Sequence, residues 1–246
     1  MAPDRGRVRI GCAGWSVPSR HAALFGPGDS ALARYATRFD VVEVDSSFHR
    51  PHRRATWERW AATVPAGFRF SVKLPRTISH ELGLRRAGPA LDRFLAGVEG
   101  LGDRLGGFLL QLPPRLELDM RSASVFLAMF RRRSDAPLAC EPRHASWSTP
   151  RAEALLERHG VGRVAADPPR LPGGGHPAAS ARWRYWRWHG SPRVYYSRYD
   201  EDALRTLAAE VRAAGGGERW VVFDNTAHGH AVADAARLQA LLAARR

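Results

Sequence analysis

The sequence predicts an α/β protein folded as a single (β/α)8 TIM barrel over residues 1–246, parallel and eight-stranded, with helix 6 short or missing. Three observations carry this. Eight short apolar runs recur along the chain, each bounded by turn-forming residues. Helix-like stretches separate them, so strands alternate with helices in the order that builds parallel βαβ units. The length of 246 residues is close to the roughly 250 that a closed barrel of eight units takes.

In chain order the expected strands are Val8 to Cys12, Val41 to Asp45, Phe68 to Lys73, Gly107 to Leu112, Leu138 to Arg143, Arg163 to Asp167, Tyr185 to His189 and Trp220 to Asp224. The expected helices are Ala31 to Arg38, Ala55 to Ala61, Pro89 to Leu101, Ser122 to Arg132, Pro150 to His159, Asp202 to Ala213 and Ala231 to Ala243. Trp57 and Trp60, three apart, mark the core face of the second. After the sixth strand, Pro168 to Ala181 holds a Pro-Pro pair and Gly173-Gly174-Gly175, too many breakers for a full helix. That stretch reads as a loop, either a surface insertion or a lid over the barrel mouth. Gly215-Gly216-Gly217 reads as the stop after the next helix. Gly11-Cys12-Ala13-Gly14-Trp15 lacks the spacing of a dinucleotide fingerprint, which argues against a nucleotide-binding open sheet.

Composition narrows the function classes. At 44% hydrophobic and 25% charged the chain can bury a sizeable core, which excludes wholesale disorder. No uncharged apolar run approaches the roughly 18 residues of a membrane span. Met1 to Arg7 leads into the first strand without the apolar stretch of a signal peptide, so the expected location is cytoplasmic. Cys12 and Cys140 are too few and too far apart for a redox or zinc motif, and reduced thiols are expected. Lys plus Arg outnumber Asp plus Glu by 38 to 24, a net charge of +14. Such a balance favours anionic partners, a small phosphorylated ligand or nucleic acid, or else reflects an Arg-rich composition with no partner behind it. Every basic residue is Arg except Lys73. A solitary lysine suggests a place that needs a compact, titratable ammonium.

In a parallel barrel the C-terminal strand ends converge on one face, where the site is built. Here those ends are polar: Val42-Glu43-Val44-Asp45, Ser71-Val72-Lys73, Leu110-Gln111-Leu112, Cys140-Glu141-Pro142-Arg143-His144, Ala166-Asp167, Arg187-Trp188-His189-Gly190 and Phe223-Asp224-Asn225-Thr226. Side chains alternate faces along a strand, so Glu43 with Asp45, Glu141 with Arg143, and Arg187 with His189 each share a side. Five carboxylates (Glu43, Asp45, Glu141, Asp167, Asp224) then approach three fixed cations (Lys73, Arg143, Arg187). Buried charges must be paired, metal-bound or neutralised. The cluster is therefore a structural ion-pair network, a divalent-cation site, or the seat of an acid poised for proton transfer. No HxH, HExxH or Cys/His cluster points to zinc, and no metal ligand is assigned. Lys73 is either a base or nucleophile with a lowered pKa, or a permanent cation balancing Glu43 or Glu141. His189-Gly190-Ser191 and Asn225 to Gly229 occupy the places where barrels bind phosphate, although Asn225 and Thr226 serve equally as helix caps. Arg182 to Trp188 interleaves bases with aromatics, as in single-strand binders, but barrel packing explains that pattern equally.

Several motifs together resemble the YecE-like family, domain of unknown function seventy-two. They are Gly11-x-x-Gly14-Trp15, Val42-Glu43-Val44-x-Ser46-x-Phe48, Phe70-x-x-Lys73-x-Pro75-x-x-Ile78-x-His80, Leu105-Gly106 through Gln111-Leu112-Pro113-Pro114, Glu141-x-Arg143-His144-x-Ser146-Trp147, Arg187-x-His189-Gly190 and Phe223-x-Asn225-Thr226. The resemblance implies a TIM barrel without implying a reaction. The chain departs from the family pattern at Asp45 and Asp224, where Asn is usual, and at His49, where an aromatic often stands. A metal site resting on those two carboxylates would not be a family trait. The expectation is an enzyme, of hydrolase or isomerase and lyase type, doing acid/base chemistry on an anionic, phosphorylated or sugar-like substrate. Its catalytic residues are expected to be Glu43, Lys73, Glu141, Arg143 and His189. Trp15, His80, Gln111, His144, Trp147, Arg187, Gly190, Asn225 and Thr226 are expected to bind substrate. No cofactor is required by the sequence and a divalent metal is an option. The alternative is a non-catalytic nucleic-acid-binding protein using its basic surface.

Overall fold

A computed structural model describes residues 6–177 and 183–244. Met1 to Arg5, Arg182 and the 178–181 end of the long loop lie outside the described residues. The strands are β1 (Val8–Ala13), β2 (Val41–Val44), β3 (Arg69–Lys73), β4 (Leu105–Gln111), β5 (Leu138–Glu141), β6 (Val161–Arg163), β7 (Ala165–Asp167), β8 (Trp183–Trp188) and β9 (Glu218–Phe223). All pair in parallel, in the order β6-β5-β4-β3-β2-β1-β9-β8-β7.

The ninth strand comes from a division of the expected sixth strand. β6 and β7 are one stave interrupted at Val164: its first part pairs with β5 and its second with β8. One stretch of chain thus serves both edges of the sheet and brings the barrel close to closure. Where β5 was expected to run on to Arg143 it stops at Glu141, since Pro142 has no N–H for the ladder. β2 stops at Val44 because Asp45 takes a helical backbone (φ −80, ψ −24) and opens a short turn.

Alternation divides the side chains into two cores. Outward residues such as Val42, Val44, Phe70, Val72, Phe108, Leu110 and Trp186 pack under the helices. Inward, Val41, Leu109, Ala139, Val164, Trp183, Tyr185, Trp220 and Val222 fill the barrel. Gly106 leaves room for this plug: a Cβ there would overlap the Trp220 ring. Cys12 and Cys140 are free and buried on the outward face, and burial pushes both thiols up, so neither is a reactive thiolate.

The covering helices are α1 (Ala31–Ala36), α2 (Ser46–His49), α3 (Arg54–Thr63), α4 (Gly88–Val98), α5 (Met120–Arg131), α6 (Pro150–Arg158), α7 (Glu201–Ala213) and α8 (His230–Ala243). Ser30, Asp119, Thr149 and Asp200 cap α1, α5, α6 and α7 by accepting from backbone N–H groups of the first turn. The helix expected from Pro89 to Leu101 ends at Val98, where the chain tightens into a 3-10 segment that breaks at Gly102 (φ 48). Residues 168–177, between β7 and β8, form turns and bends with no helix, as their glycines and prolines require. Among the described residues, no helix is long and apolar enough to cross a membrane.

Candidate active site at the C-terminal mouth

Register brings the inward charges together. In parallel ladders, paired residues point to the same face, and Glu43 pairs with Ser71, Gln111 with Glu141, and Arg187 with Val222. Arg187, fully buried, lies at the hub. Its Nη2 reaches Glu43 Oε1 at 2.8 Å, Asp224 Oδ2 at 2.9 Å and Asp45 Oδ1 at 3.4 Å, and its Nη1 reaches Glu141 Oε2 at 3.2 Å. Nη1 also donates to Gln111 Oε1 at 3.4 Å. These four carboxylates hold the guanidinium well above its ordinary pKa despite burial. A permanent cation therefore stands between these carboxylates. Among the described residues, no three His, Cys, Asp or Glu side chains are arranged to hold a metal ion.

The other members of the network are unequal. Glu141 receives Arg143 Nη2 at 2.7 Å and Nε at 2.9 Å on Oε1. His189 donates from Nδ1 to Asp224 at 2.9 Å, and its Nε2 lies 3.3 Å from Glu141 Oε1, out of line for a hydrogen bond. Burial would raise the Glu141 pKa, but His189, Arg187 and Arg143 drive it well below the carboxylate range. Burial likewise opposes the His189 cation, yet Glu141 and the bond to Asp224 raise its pKa above the usual value. Glu141 is thus a spent acceptor within the scaffold.

β2 carries the opposite case. Burial pushes Glu43 up to about 6 against the pull of Arg187. Its Oε2 accepts from Tyr185 Oη at 2.7 Å, and that hydroxyl lies 3.0 Å from Ser71 Oγ. Two residues on, Asp45 is within hydrogen-bond reach of Glu43; burial raises it, but Arg187 and Lys73 bring it below its usual value. Adjacent acids are pushed apart, one towards the protonated form and one towards the anion. The Asp45 side chain is 36% exposed against 0% for Glu43, so only Asp45 of the pair opens to the mouth.

Lys73 pairs with that same Asp45, at 3.0 Å, rather than with Glu43 or Glu141, the partners expected for it as a permanent cation. The helical backbone of Asp45 turns its carboxylate to the ammonium. Ser47 fixes the other side by donating to Val44 O at 2.8 Å or Lys73 O at 2.7 Å. The Lys73 Nζ also lies 4.4 Å from the centre of the Phe48 ring. His80, on a π-helical turn after β3, is pushed down to about 4 by burial and by Lys73, Arg143, Arg76 and Arg115, so it is neutral at physiological pH. Asp167 does not join the network. It stands opposite Trp188 in the ladder, one residue out of phase with Arg187, and accepts from Tyr199 Oη at 2.8 Å instead.

The family follows from comparison with known proteins. The family model described as "Protein of unknown function DUF72" matches residues 9–246. The chain belongs to the DUF72 family. It is 33% identical over 106 residues to the UPF0759 protein YecE of Escherichia coli (strain K12), covering 43% of this chain and 38% of that protein. It is 26% identical over 152 residues to the UPF0759 protein YunF of Bacillus subtilis (strain 168), covering 58% and 53%. The chain thus aligns with about half or less of the length of these curated relatives. A crystal structure of a DUF72 family protein from Enterococcus faecalis V583 matches with TM-score 0.79 and 22% identity over 98% of this chain and 99% of that one. One from Thermotoga maritima MSB8 matches at 0.78 and 24%, over 96% and 98%. A xylose isomerase-like TIM barrel/4-hydroxyphenylpyruvate dioxygenase fusion protein matches at 0.52 with 13% identity, over 97% of this chain and 42% of that one, a likeness of fold.

Around this DUF72 mouth the remaining expected residues take other positions. Gly190 (φ 96) donates its N–H to Tyr199 Oη at 2.8 Å, and a Cβ there would meet Ser197 O. Asn225 is buried and ties Ser197 O and Asp234 Oδ2 together at 2.9 and 2.7 Å, while Thr226 is exposed in the turn before α8. His144 caps the following 3-10 turn through Ser146, and Trp147 is buried with its Nε1 on Leu116 O at 3.0 Å. Trp15 packs edge-on to Trp60 at 4.9 Å. In the Arg-aromatic stretch, Trp183, Tyr185, Trp186 and Trp188 are all buried, which leaves their faces closed to nucleobases. Tyr185, Ser71, Phe48 and Tyr195 were not anticipated. Tyr185 and Ser71 were within reach, because each lies two residues from a charged inward group, Arg187 and Lys73, and Phe48 stands in the family motif; Tyr195 carries no signal in the sequence.

A cavity of about 540 Å³ lies at the opposite, N-terminal end, lined by Pro137, Leu138, Gly160, Val161 and Trp183 among others. The Arg131 guanidinium beside it is already engaged by the carbonyls of His159, Ala136 and Gly160.

Proposed function

We propose that this chain is an enzyme that transfers protons on a small anionic, sugar-like or phosphorylated substrate held at the C-terminal mouth of the barrel. One observation carries the reading: Glu43 on β2 and Asp45 just past its end share Arg187, yet buried Glu43 is pushed up to about 6 while the more exposed Asp45 is held low. Such a separation suits a pair in which Asp45 takes a proton from bound substrate and Glu43, behind it, holds or returns one. Lys73 supports this role. An ammonium has three donors, and its contact with Asp45 at 3.0 Å leaves donors for a developing oxyanion. Arg143 supplies a second cation for the substrate's anionic group, and Gln111 and neutral His80 supply polar contacts. Glu141 and Asp224 hold Arg187, with His189 bonded to Asp224, and burial keeps Glu43 above Asp45 although Arg187 pulls on both. With Arg187 between the carboxylates, turnover should survive treatment with a chelator.

Deuterium wash-in tests this directly. The protein is incubated in D2O with a panel of phosphorylated sugars and sugar acids, and exchange of carbon-bound hydrogen is followed by NMR. Exchange should fall about 10²- to 10⁴-fold in Asp45→Asn and Lys73→Met, both retaining the fold by circular dichroism. Exchange or turnover unchanged in folded Asp45→Asn would remove Asp45 from the chemistry and with it this reading. Steeply salt-dependent nucleic-acid binding that ignores Lys73→Met, with no small anion bound, would favour the basic surface instead.

A further inference from the structure

The loop between β8 and α7, residues 189–200, holds one bulky residue in a backbone region that aromatic side chains avoid. Tyr195 has φ 71. Leu84 and Arg86 are the other non-glycine residues with positive φ among those described; both lie in the turn before α4, Leu84 buried and Arg86 exposed. Tyr195 is 38% exposed, so packing does not force the conformation.

The surroundings do. Tyr195 N donates to His189 O at 2.6 Å, and Ala227 N donates to Tyr195 O at 3.2 Å. On either side, Arg193 N bonds Ser197 Oγ at 3.0 Å, and Ser197 O accepts from buried Asn225. Tyr199 anchors the loop's far end, with its N–H on Asp234 Oδ2 at 3.2 Å. A loop pinned at this many points fixes a strained residue, and strain kept at an exposed side chain argues for use of that side chain. Its ring stands 5.9 Å from His189, edge to face, and the phenol lies within electrostatic reach of Arg143. Both are network residues.

We propose that Tyr195 is a ligand-binding residue of the mouth, its hydroxyl donating to the same anionic oxygen that Arg143 neutralises. The ligand is a small molecule bearing a carboxylate or phosphoryl group. This rests on the mouth being a substrate site, and it assigns the loop a purpose: presenting a phenol without an ordering cost on binding. Glycine would satisfy the backbone here with less strain.

The experiment compares wild type, Tyr195→Phe, Tyr195→Gly and Lys73→Met in thermal melts and in calorimetric titrations with glucose 6-phosphate and with gluconate, which separate phosphoryl from carboxylate binding. Tyr195→Phe should keep its melting temperature and bind the preferred probe about ten- to a hundred-fold more weakly, as expected for loss of a hydrogen bond to a charged group. Tyr195→Gly should melt higher than wild type and bind as weakly. A lower melting temperature for Tyr195→Gly would make the tyrosine a structural residue and overturn the proposal. Unchanged affinity in Tyr195→Phe, with affinity lost in Lys73→Met, would overturn it while sparing the mouth. A wild-type protein that binds neither probe would overturn both.

Discussion

Replacing Glu43 with Gln removes a carboxylate whose ionisation opposes folding, and the effect has a defined sign and window. Glu43 is fully buried, and burial lifts its pKa from 4.5 to about 6 in spite of Arg187. An acid whose folded-state value lies above its unfolded value contributes stability that is complete below pH 4.5 and is lost as pH rises to 6. That rise corresponds to about 2 kcal/mol. Asp45 and Glu141, both lowered, act in the opposite sense and destabilise as pH falls through their folded values. His189, raised, loses its contribution as pH climbs above 6.5. Those groups remain in both proteins, so the difference between the two stability curves reports Glu43 together with its coupling to Asp45. Urea unfolding across this range should show the Gln variant gaining about 2 kcal/mol on wild type between pH 4.5 and 6, with a constant difference above. A flat difference, or one that favours wild type as pH rises, would refute the assignment of a raised Glu43 and with it the unequal pair.

Arg187→Met should cost about 3–5 kcal/mol at neutral pH, because four carboxylates lose their shared cation. The melting temperature should fall on the order of 10 °C, and the deficit should shrink in acid as those groups protonate; a pH-independent deficit would contradict this. Gly106→Ala should destabilise by about 1–3 kcal/mol in chemical denaturation, since its Cβ would overlap Trp220 in the barrel plug, and an unchanged midpoint would show that the plug yields. Lys73→Arg keeps the charge beside Asp45 but replaces a compact ammonium with a planar fork, so the fold should persist while exchange activity drops about 100-fold. Activity equal to wild type would mean that only the charge matters.

The barrel was legible in the sequence because each stave announces itself locally, as a short apolar run with turn residues on either side. What was not legible depended on phase between staves. Alternation brought Glu43 and Arg187 to one face, with Asp45 and His189 just past the ends of their strands and joined to the same network. It could not tell that Asp167 stands one residue out of phase with Arg187, because the stave that closes the barrel is broken at Val164 and re-registered against β8. The partner of Lys73 escaped for a related reason. Ideal extension would leave Asp45 on the strand, whereas its helical backbone delivers the carboxylate to the ammonium. Tyr195 was beyond reach altogether, since nothing in Arg193-Val194-Tyr195-Tyr196 marks a positive φ.

The vertical order of the inward residues explains how a saturated ion network can still leave a reactive surface. Trp220 and Trp183 plug the barrel floor, with Tyr185 in contact with both rings, so groups above them meet water from one side only. Arg187 lies on the same strand two residues beyond Tyr185 and draws four acids inward; a guanidinium, always charged, cannot relieve that arrangement by losing a proton. The adjustment must fall on an acid. It falls on Glu43, the most deeply buried of the four, which rises to about 6, and this leaves Asp45 as the anion that answers Lys73. Placing Asp45 two residues nearer the mouth then separates the group that is paired for stability from the group that faces a ligand. Burial sets Glu43 apart from Asp45 while Arg187 pulls both acids down, so in the proposed reaction stability and proton transfer depend on one shared side chain.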